Sequence, residues 1–406
     1  MKSLLAYPHI GILILAWFVA DLAVPTLISL AHRIGVLDRP GGHDGKVQDA
    51  PIPFFGGLGI LLGFSVALFS TLRFESLEAF IPFLVLISGA AVVATLGLLD
   101  DHRPISAMVK LGVLFGITLT LSAFGVEMHL LPNAFNGWVD VVLTLLWIVG
   151  VISATNSLDN TDGVVGGISA IAGAFIFLIA WGSSSVDSQP WLSYLAVALI
   201  GSSLGFLRYN FPPARVYLGD NGSFLLGFIL ATTLVFAEYS IDPIRAVLIP
   251  CLILVVPIYD ITLSTILRIR DGDVKNWREA VHFCGQDHLA HLLMGHGLSK
   301  RQAVICLYCL GLAGGITALA IHRIDSRTAA IAIATIFGAG LVWIGVFLGR
   351  VRTEVAASEI PASIEGSALS DRPRPEHLVF SQGHEAAAQQ HEKLTSVRGE
   401  TVRGET

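Results

Sequence analysis

Five short segments carry acidic, amide or imidazole side chains at spacings suited to chemistry on phosphate. Asp100 and Asp101 are adjacent in Gly97-Leu-Leu-Asp-Asp-His-Arg-Pro, and Lys110 follows. Adjacent carboxylates repel, and a divalent cation or a lysine relieves the repulsion; a solvated helix end would also tolerate the pair. Asn156-Ser-Leu-Asp159-Asn-Thr-Asp162-Gly163 sets two carboxylates three apart, on one side of a helical turn. Gly166 and Gly167 permit close approach of the backbone to a ligand. A helix cap needs one such side chain, whereas residues 156–162 hold two carboxylates and two amides. After Asn210, the turn Gly219-Asp220-Asn-Gly-Ser223 offers helix N-terminal N–H groups to phosphate and a carboxylate to metal, or forms a plain turn. Asp260 follows Pro257-Ile-Tyr near the end of an apolar run and suits a satisfied helix end or a functional role equally. Asp287-His288-Leu-Ala-His291 can set two imidazoles on one helix face. His282 and Cys284 lie just upstream, but the spacing matches no zinc-site pattern.

The elements that must position these groups are apolar. The chain has 406 residues, 53% hydrophobic and 14% charged, with a mean hydropathy of +0.71. A soluble domain carries roughly 25% charged residues, so this composition excludes an ordinary globular protein and points to the bilayer. A spanning helix needs about 20 mostly apolar residues. On that rule the sequence predicts an all-α integral membrane protein with eleven spans, near 8–31, 53–72, 79–99, 106–125, 138–155, 163–182, 191–208, 222–238, 245–267, 302–321 and 328–349. The first is too long for a cleaved signal peptide and reads as a retained span. Of the 25 Lys and Arg, only Lys2, Arg73, Arg245, Arg323 and Arg327 fall on the N-terminal side. The other side is therefore predicted to be cytoplasmic, with the N-terminus outside and the C-terminus inside. All five polar segments lie on that side. Cys306 and Cys309 sit in an apolar run and read as small residues packed between helices. No disulfide framework is implied. Residues 351–406 are polar and end in two copies of Val-Arg-Gly-Glu-Thr, the composition of a disordered tail beyond a membrane domain over 1–350.

Taken in order, these segments resemble the polyprenyl-phosphate N-acetylhexosamine-1-phosphate transferases of glycosyltransferase family 4, over roughly residues 35 to 305. Gly35-Val-Leu-Asp38-Arg-Pro40 with Lys46 and Pro51-Ile-Pro-Phe-Phe-Gly-Gly57 looks like the first cytoplasmic loop of that family. Asp100-Asp101 with Lys110 looks like its double-aspartate motif, and Asn156 to Gly167 like its Asn-x-x-Asp-x-x-Asp-Gly motif. Phe206 to Ser223 and Asp287-His288-x-x-His291 are similar to its later motifs. Ser153, Asn160, Gln48 and Ala290 depart from the usual residues, and the His-His-His run of the muramoyl-pentapeptide branch is missing. The carboxylates are intact, while the choice of sugar stays open. The N-acetylglucosamine branch is the nearer one, with phospho-N-acetylmuramoyl-pentapeptide transferase as the alternative.

The resemblance implies transfer of a sugar 1-phosphate from a UDP-sugar to undecaprenyl or another polyprenyl phosphate, releasing UMP. That is the first membrane step of cell-envelope polysaccharide synthesis, at the cytoplasmic face of the inner membrane. It implies Mg²⁺, with Mn²⁺ as a substitute, held or oriented by Asp101, Asp159 and Asp220. Asp100 would sit by the lipid phosphate as base or positioner, and Lys110, His288 and His291 would contact phosphate. Lys46, Asn156, Asp162 and Asn210 would serve nucleotide or sugar. The implied partners are the lipid, the UDP-sugar and the membrane, with no nucleic acid; a homodimer is compatible. A transporter or flippase predicts acids at mid-membrane and an internal repeat, and the sequence carries neither.

Overall fold

The computed structural model describes residues 8–38, 51–73, 77–128, 137–182, 190–237, 242–272, 274 and 287–358. Lys46, Gln48, His282, Cys284 and the tail beyond Ser358 lie outside the described residues. The chain divides into two units, Met1–Val355 and Ala356–Thr406.

The helices are α1 (Pro8–Ile34), α2 (Gly56–Phe69), α3 (Leu77–His102), α4 (Ala107–Ala123), α5 (Trp138–Leu158), α6 (Val164–Gly182), α7 (Pro190–Asn210), α8 (Gly219–Phe236), α9 (Pro243–Ile253), α10 (Val255–Asp271), α11 (Leu289–Gly295), α12 (Lys300–Arg323) and α13 (Arg327–Ser358). All eleven segments expected to span are helical. Among the described residues eight helices are long and apolar enough to cross a membrane, and nine spans result if α9 and α10 count as one. The protein is a multi-pass, all-α membrane protein. Phe18, Leu146, Ile316 and Trp343 lie exposed on the outer helix faces, as a bilayer-facing surface requires.

Two features differ from the uniform spans read in the sequence. With 14 and 17 residues, α2 and α4 rise about 21 and 26 Å, short of a hydrocarbon core of roughly 30 Å. The run over 245–267 is two helices bent by 82° at Leu254. Pro250 and Pro257 flank the bend, and proline cannot donate to the helical ladder.

α8 is the centre of the bundle, packed by α3 and α5 and flanked by α2. Its side chains from Asn221 to Leu234 are buried. α7 packs on α1 and α6, and α12 packs on α6 and α9. Glycine permits the closest approaches. A Cβ on Gly97 of α3 would stand 2.4 Å from the backbone of Asp220 and Asn221, and one on Gly167 of α6 would stand 2.1 Å from the Tyr308 ring. α6, the most glycine-rich of the expected spans, is thus held tightly against α12. Cys306 and Cys309 are exposed on α12 beside Ile305 and Leu312, and do not pack between helices as expected. A helix that is apolar all round does not reveal its inner face through composition.

Leu37–Asp38 and Ile52–Pro53 form a two-residue antiparallel ladder, β1 and β2. The chain after β2 docks on the start of α8: the Tyr217 N–H donates to the Pro53 carbonyl at 2.8 Å, and the Gly56 and Gly57 N–H groups donate to the carbonyls of Tyr217 and Leu218.

Candidate active site

Three helix ends meet where α3 stops, α5 turns into α6 and α8 begins. With Gly97 letting α3 lie on the first turn of α8, Asp101 receives the free N–H groups of that turn. Its Oδ1 accepts from Asp220 N at 2.9 Å, and its Oδ2 accepts from Asn221 N at 3.2 Å and Asn221 Nδ2 at 2.8 Å. Asp101 is therefore the cap of α8, supplied by another helix. The Asn221 amide also donates to the Phe54 carbonyl at 2.5 Å, tying in the chain after β2. Asp100 accepts from the Ile105 N–H at 2.7 Å and pairs with Lys110. The side chains of Asp100 and Asp220 lie close enough to act on each other electrostatically. Lys110 also lies 5.8 Å from the centre of the Phe224 ring on α8.

Asp159 ends α5, half-buried. Burial, and then the charges of Asp220, Asp101 and Asp162, push its carboxyl well above the usual carboxylate range. Among the described residues its carboxylate has no hydrogen-bond or ion-pair partner. Asp100, Asp101, Asp159 and Asp220 thus lie within electrostatic reach of one another, with Lys110 paired to Asp100. Among the described residues no three His, Cys, Asp or Glu side chains form a ready set of metal ligands.

Asp162 faces the start of α12: its Oδ2 takes the Lys300 ammonium at 2.6 Å and the Ala214 N–H at 3.3 Å. Next to Lys300, Arg301 Nε donates to the Pro212 carbonyl at 2.8 Å, and the Tyr308 hydroxyl donates to the Gly163 carbonyl at 2.6 Å. The start of α12 is fixed by a capping box in which the Ser299 hydroxyl and Gln302 bond each other's backbone. It joins the α5–α6 turn to the α7–α8 loop. Asn156 accepts from the Ser223 hydroxyl at 2.7 Å. Asn210 is buried, accepting from Gly163 N at 2.8 Å and donating to the Val216 carbonyl at 2.9 Å. Its amide pins the two loops together. Tyr217, 6.1 Å from the Phe54 ring, borders the cluster; burial and then the Asp162 and Asp38 charges push its phenol up to about 12.

The histidine segment forms a second ionic group. His288 Nδ1 is 2.8 Å from Asp260 Oδ2, whose other oxygen accepts from Leu289 N at 2.7 Å. Arg268 grips Asp287 with two bonds, 2.5 and 2.8 Å, and its Nη2 lies 3.4 Å from His288 Nε2. Asp260 and Asp287 are fully buried. His291 is the more open imidazole; burial, then His288, pull its pKa down, with Lys300 adding to this and Asp260 and Asp287 opposing it. Ala290, between the two histidines, is buried against the core.

Of the residues singled out in the sequence, Asp100, Asp101, Lys110, Asn156, Asp159, Asp162, Asn210 and Asp220 come together through these contacts. His288 belongs instead to the Asp260, Asp287 and Arg268 group, and His291 lies near enough to Lys300 to feel its charge. Lys46 lies outside the described residues. Lys300, Asn221, Ser223 and Tyr308 were not singled out. Asn221 and Ser223 stand inside a quoted motif, but Tyr308 sits in an apolar run with nothing to mark it.

Residues 83–238 match the model of glycosyl transferase family 4. The chain is 31% identical over 322 residues to a probable undecaprenyl-phosphate N-acetylglucosaminyl 1-phosphate transferase of Bacillus subtilis, covering 76% of this chain and 84% of the relative. It is 29% identical over 350 residues to a decaprenyl-phosphate N-acetylglucosaminephosphotransferase of Mycobacterium tuberculosis (79% and 84% covered). It is 27% identical over 294 residues to the undecaprenyl-phosphate alpha-N-acetylglucosaminyl 1-phosphate transferase of Escherichia coli K12 (68% and 74% covered). The carboxylates gathered around α8 lie on a chain that belongs to glycosyl transferase family 4.

Proposed function

We propose that the protein transfers N-acetylglucosamine 1-phosphate from UDP-N-acetylglucosamine to a polyprenyl phosphate at the cytoplasmic face of the plasma membrane, releasing UMP. The observation that carries this is the meeting of Asp100, Asp101, Asp159 and Asp220 with Lys110 at one end of a membrane bundle, in a chain whose relatives bear that activity in their names.

In the reaction an oxygen of the lipid phosphate attacks the sugar-bearing phosphorus. The bond from that phosphorus to the bridging oxygen breaks, and the bridging oxygen leaves with UMP. A phosphate monoester with a second pKa near 6 is largely dianionic at neutral pH, so a strong base is not needed. Asp100, braced by Lys110 and the Ile105 N–H, orients the lipid phosphate through the lysine. Asp101 keeps the first turn of α8 in place. His291 is suited to donate to phosphate oxygens, and Lys300 screens the charge of Asp162. Asp162 and Asn156 line the approach for nucleotide or sugar, with Lys46 of the first loop assigned to the same task.

Phosphotransferases of this family are generally divalent-metal dependent. The donors here suit Mg²⁺, and Mn²⁺ in its place: they are oxygens, and Asp159 and Asp220 confront each other across a charge imbalance. Mg²⁺ takes one or two carboxylates and keeps water for the rest. Asp159 and Asp220 would hold it, while Asp101, already accepting three hydrogen bonds, orients the site. When bound, the cation neutralises charge on the pyrophosphate. The test is Mg²⁺-dependent UMP release by purified protein supplied with polyprenyl phosphate and a series of UDP-sugars. UDP-N-acetylglucosamine is the expected donor. Release from UDP-N-acetylmuramoyl-pentapeptide alone would transfer the protein to the other branch.

A further inference from the structure

A cleft of about 560 Å³ opens at the end of α7, between the loop that follows it and the start of α12. Its walls are Tyr209, the Phe211–Pro213 turn and three arginines, Arg208, Arg215 and Arg301. Among the described residues no carboxylate lines it. Arg208 is balanced by Asp21 on α1, its Nη1 lying 3.0 Å from both carboxylate oxygens. Arg301 spends its Nε–H on the Pro212 carbonyl. Arg215 is exposed; its backbone N–H donates to the Tyr209 carbonyl at 2.8 Å, and its guanidinium makes no hydrogen bond or ion pair among the described residues. Three arginines therefore line one space, and among the described residues Asp21 is the carboxylate paired with them.

The depth of the cleft is set by its neighbours. Leu204, one turn before Arg208 on α7, and Trp17, one turn before Asp21 on α1, are both exposed. One turn is about 6 Å of rise over four residues, so on α7 the charged pair follows directly on an exposed apolar surface and the helix ends two residues later, while on α1 exposed apolar residues run on past Asp21 to Leu22, Leu30 and Ile34. The end of α7 is at the level of lipid headgroups, where Arg and Tyr collect. The Arg208 guanidinium lies 5.7 Å from the Tyr209 ring centre, a cation–π arrangement. Guanidinium groups bind phosphate in a two-pronged, charge-assisted geometry, and basic pockets between membrane helices take anionic headgroups.

We propose that this arginine cleft binds the phosphate headgroup of an anionic membrane lipid. The far side of the same loop meets the aspartate cluster, since Ala214 N donates to Asp162 and Lys300, next to Arg301, pairs with Asp162. A bound headgroup would brace this loop from behind.

The experiment compares phosphatidylglycerol with phosphatidylcholine adducts retained on detergent-solubilised protein by native mass spectrometry, for wild type, Arg215→Gln and Arg215→Lys. Wild type retains phosphatidylglycerol preferentially. Arg215→Gln loses about fivefold of that preference, the contribution of one basic group near an anionic surface, and Arg215→Lys keeps most of it. Equal retention by wild type and Arg215→Gln overturns the proposal. Displacement of the lipid by millimolar inorganic phosphate or UMP overturns it as well, because the cleft would then serve a soluble phosphate. UMP release measured in phosphatidylcholine is expected to be the same for wild type and Arg215→Gln. Absence of UMP release from wild type would refute the transferase reading and leave the lipid result standing.

Discussion

Two ionic groups sit at the same end of the bundle and are built in opposite ways. Around Asp260, each principal charge has its counterpart: His288 and the Leu289 N–H for Asp260, and the Arg268 fork for Asp287. Around Asp159, four carboxylates gather near Lys110, and the carboxyl of Asp159 answers to burial and to three like charges. The first group is closed, and its hydrogen bonds fix the backbone at the start of α11. The second holds unbalanced negative charge, which helices α3, α5 and α8 maintain through Asp101 and Gly97. Balanced buried charge holds shape; unbalanced charge at a helix junction is where a cation and phosphates would be used.

The sharpest way to break this contrast is Asp159→Asn. Activity, read as UMP release, should fall about 10²–10³-fold, the scale of one lost electrostatic contact to the reacting groups. The thermal midpoint should hold or rise, because a repelled, half-buried carboxylate has become a neutral amide. An active Asp159→Asn enzyme would remove the distinction between the two groups.

Asp260→Ala should do the reverse. It leaves the buried His288 Nδ1 and the Leu289 N–H without their acceptor and should cost about 3 kcal/mol of stability, measured by denaturation in detergent. Activity should fall only with the loss of folded protein and of the placement of His291. A stable but inactive variant would move Asp260 into the reacting group.

A smaller effect is expected in the pH dependence of the metal-stripped protein. The Asp159 carboxyl is held well above its ordinary value of 3.8. The folded state then binds the proton more tightly than the unfolded chain does. Stability should therefore decline as pH rises from about 4 toward the raised folded value, since the folded state gives up a proton that the unfolded chain has already lost. In EDTA the thermal midpoint should fall across that window. Asp159→Asn should flatten the slope, and added Mg²⁺ should raise the midpoint on its neutral side. An unchanged slope in the variant would mean that the cluster does not carry the strain assigned to it.

Much of this arrangement was legible in the sequence because its signals are local. Hydropathy located the eleven helical segments, and adjacency or three-residue spacing drew attention to Asp100, Asp101, Asp159 and Asp162. What escaped has a non-local cause. Asp101 caps a helix that starts 118 residues later, at Gly219, and Asn210 looks like a ligand but pins two loops together. The 82° bend needed both prolines to be weighed inside one apolar run. The outward-facing cysteines needed a helical face, which uniform hydrophobicity erases. Tyr308 became informative only once Gly167 had brought α6 against it.

The smallest expected effect tests the link between the two groups. Lys300 is part-exposed and pairs with Asp162 at 2.6 Å, and its charge also acts on His291. An exposed pair of this kind is worth within about 1 kcal/mol, so Lys300→Met should leave the thermal midpoint nearly unchanged. Its effect belongs to binding. With the ammonium gone, Asp162 adds to the negative charge that a UDP-sugar must approach, and KM for the donor should rise several-fold while kcat changes less. His291 also loses a neighbouring positive charge, so its pKa should rise and the acidic limb of the pH–rate profile should shift upward. A fall in kcat at unchanged KM would place Lys300 among the groups that touch the reacting phosphates, and the balanced and unbalanced regions would then be a single site.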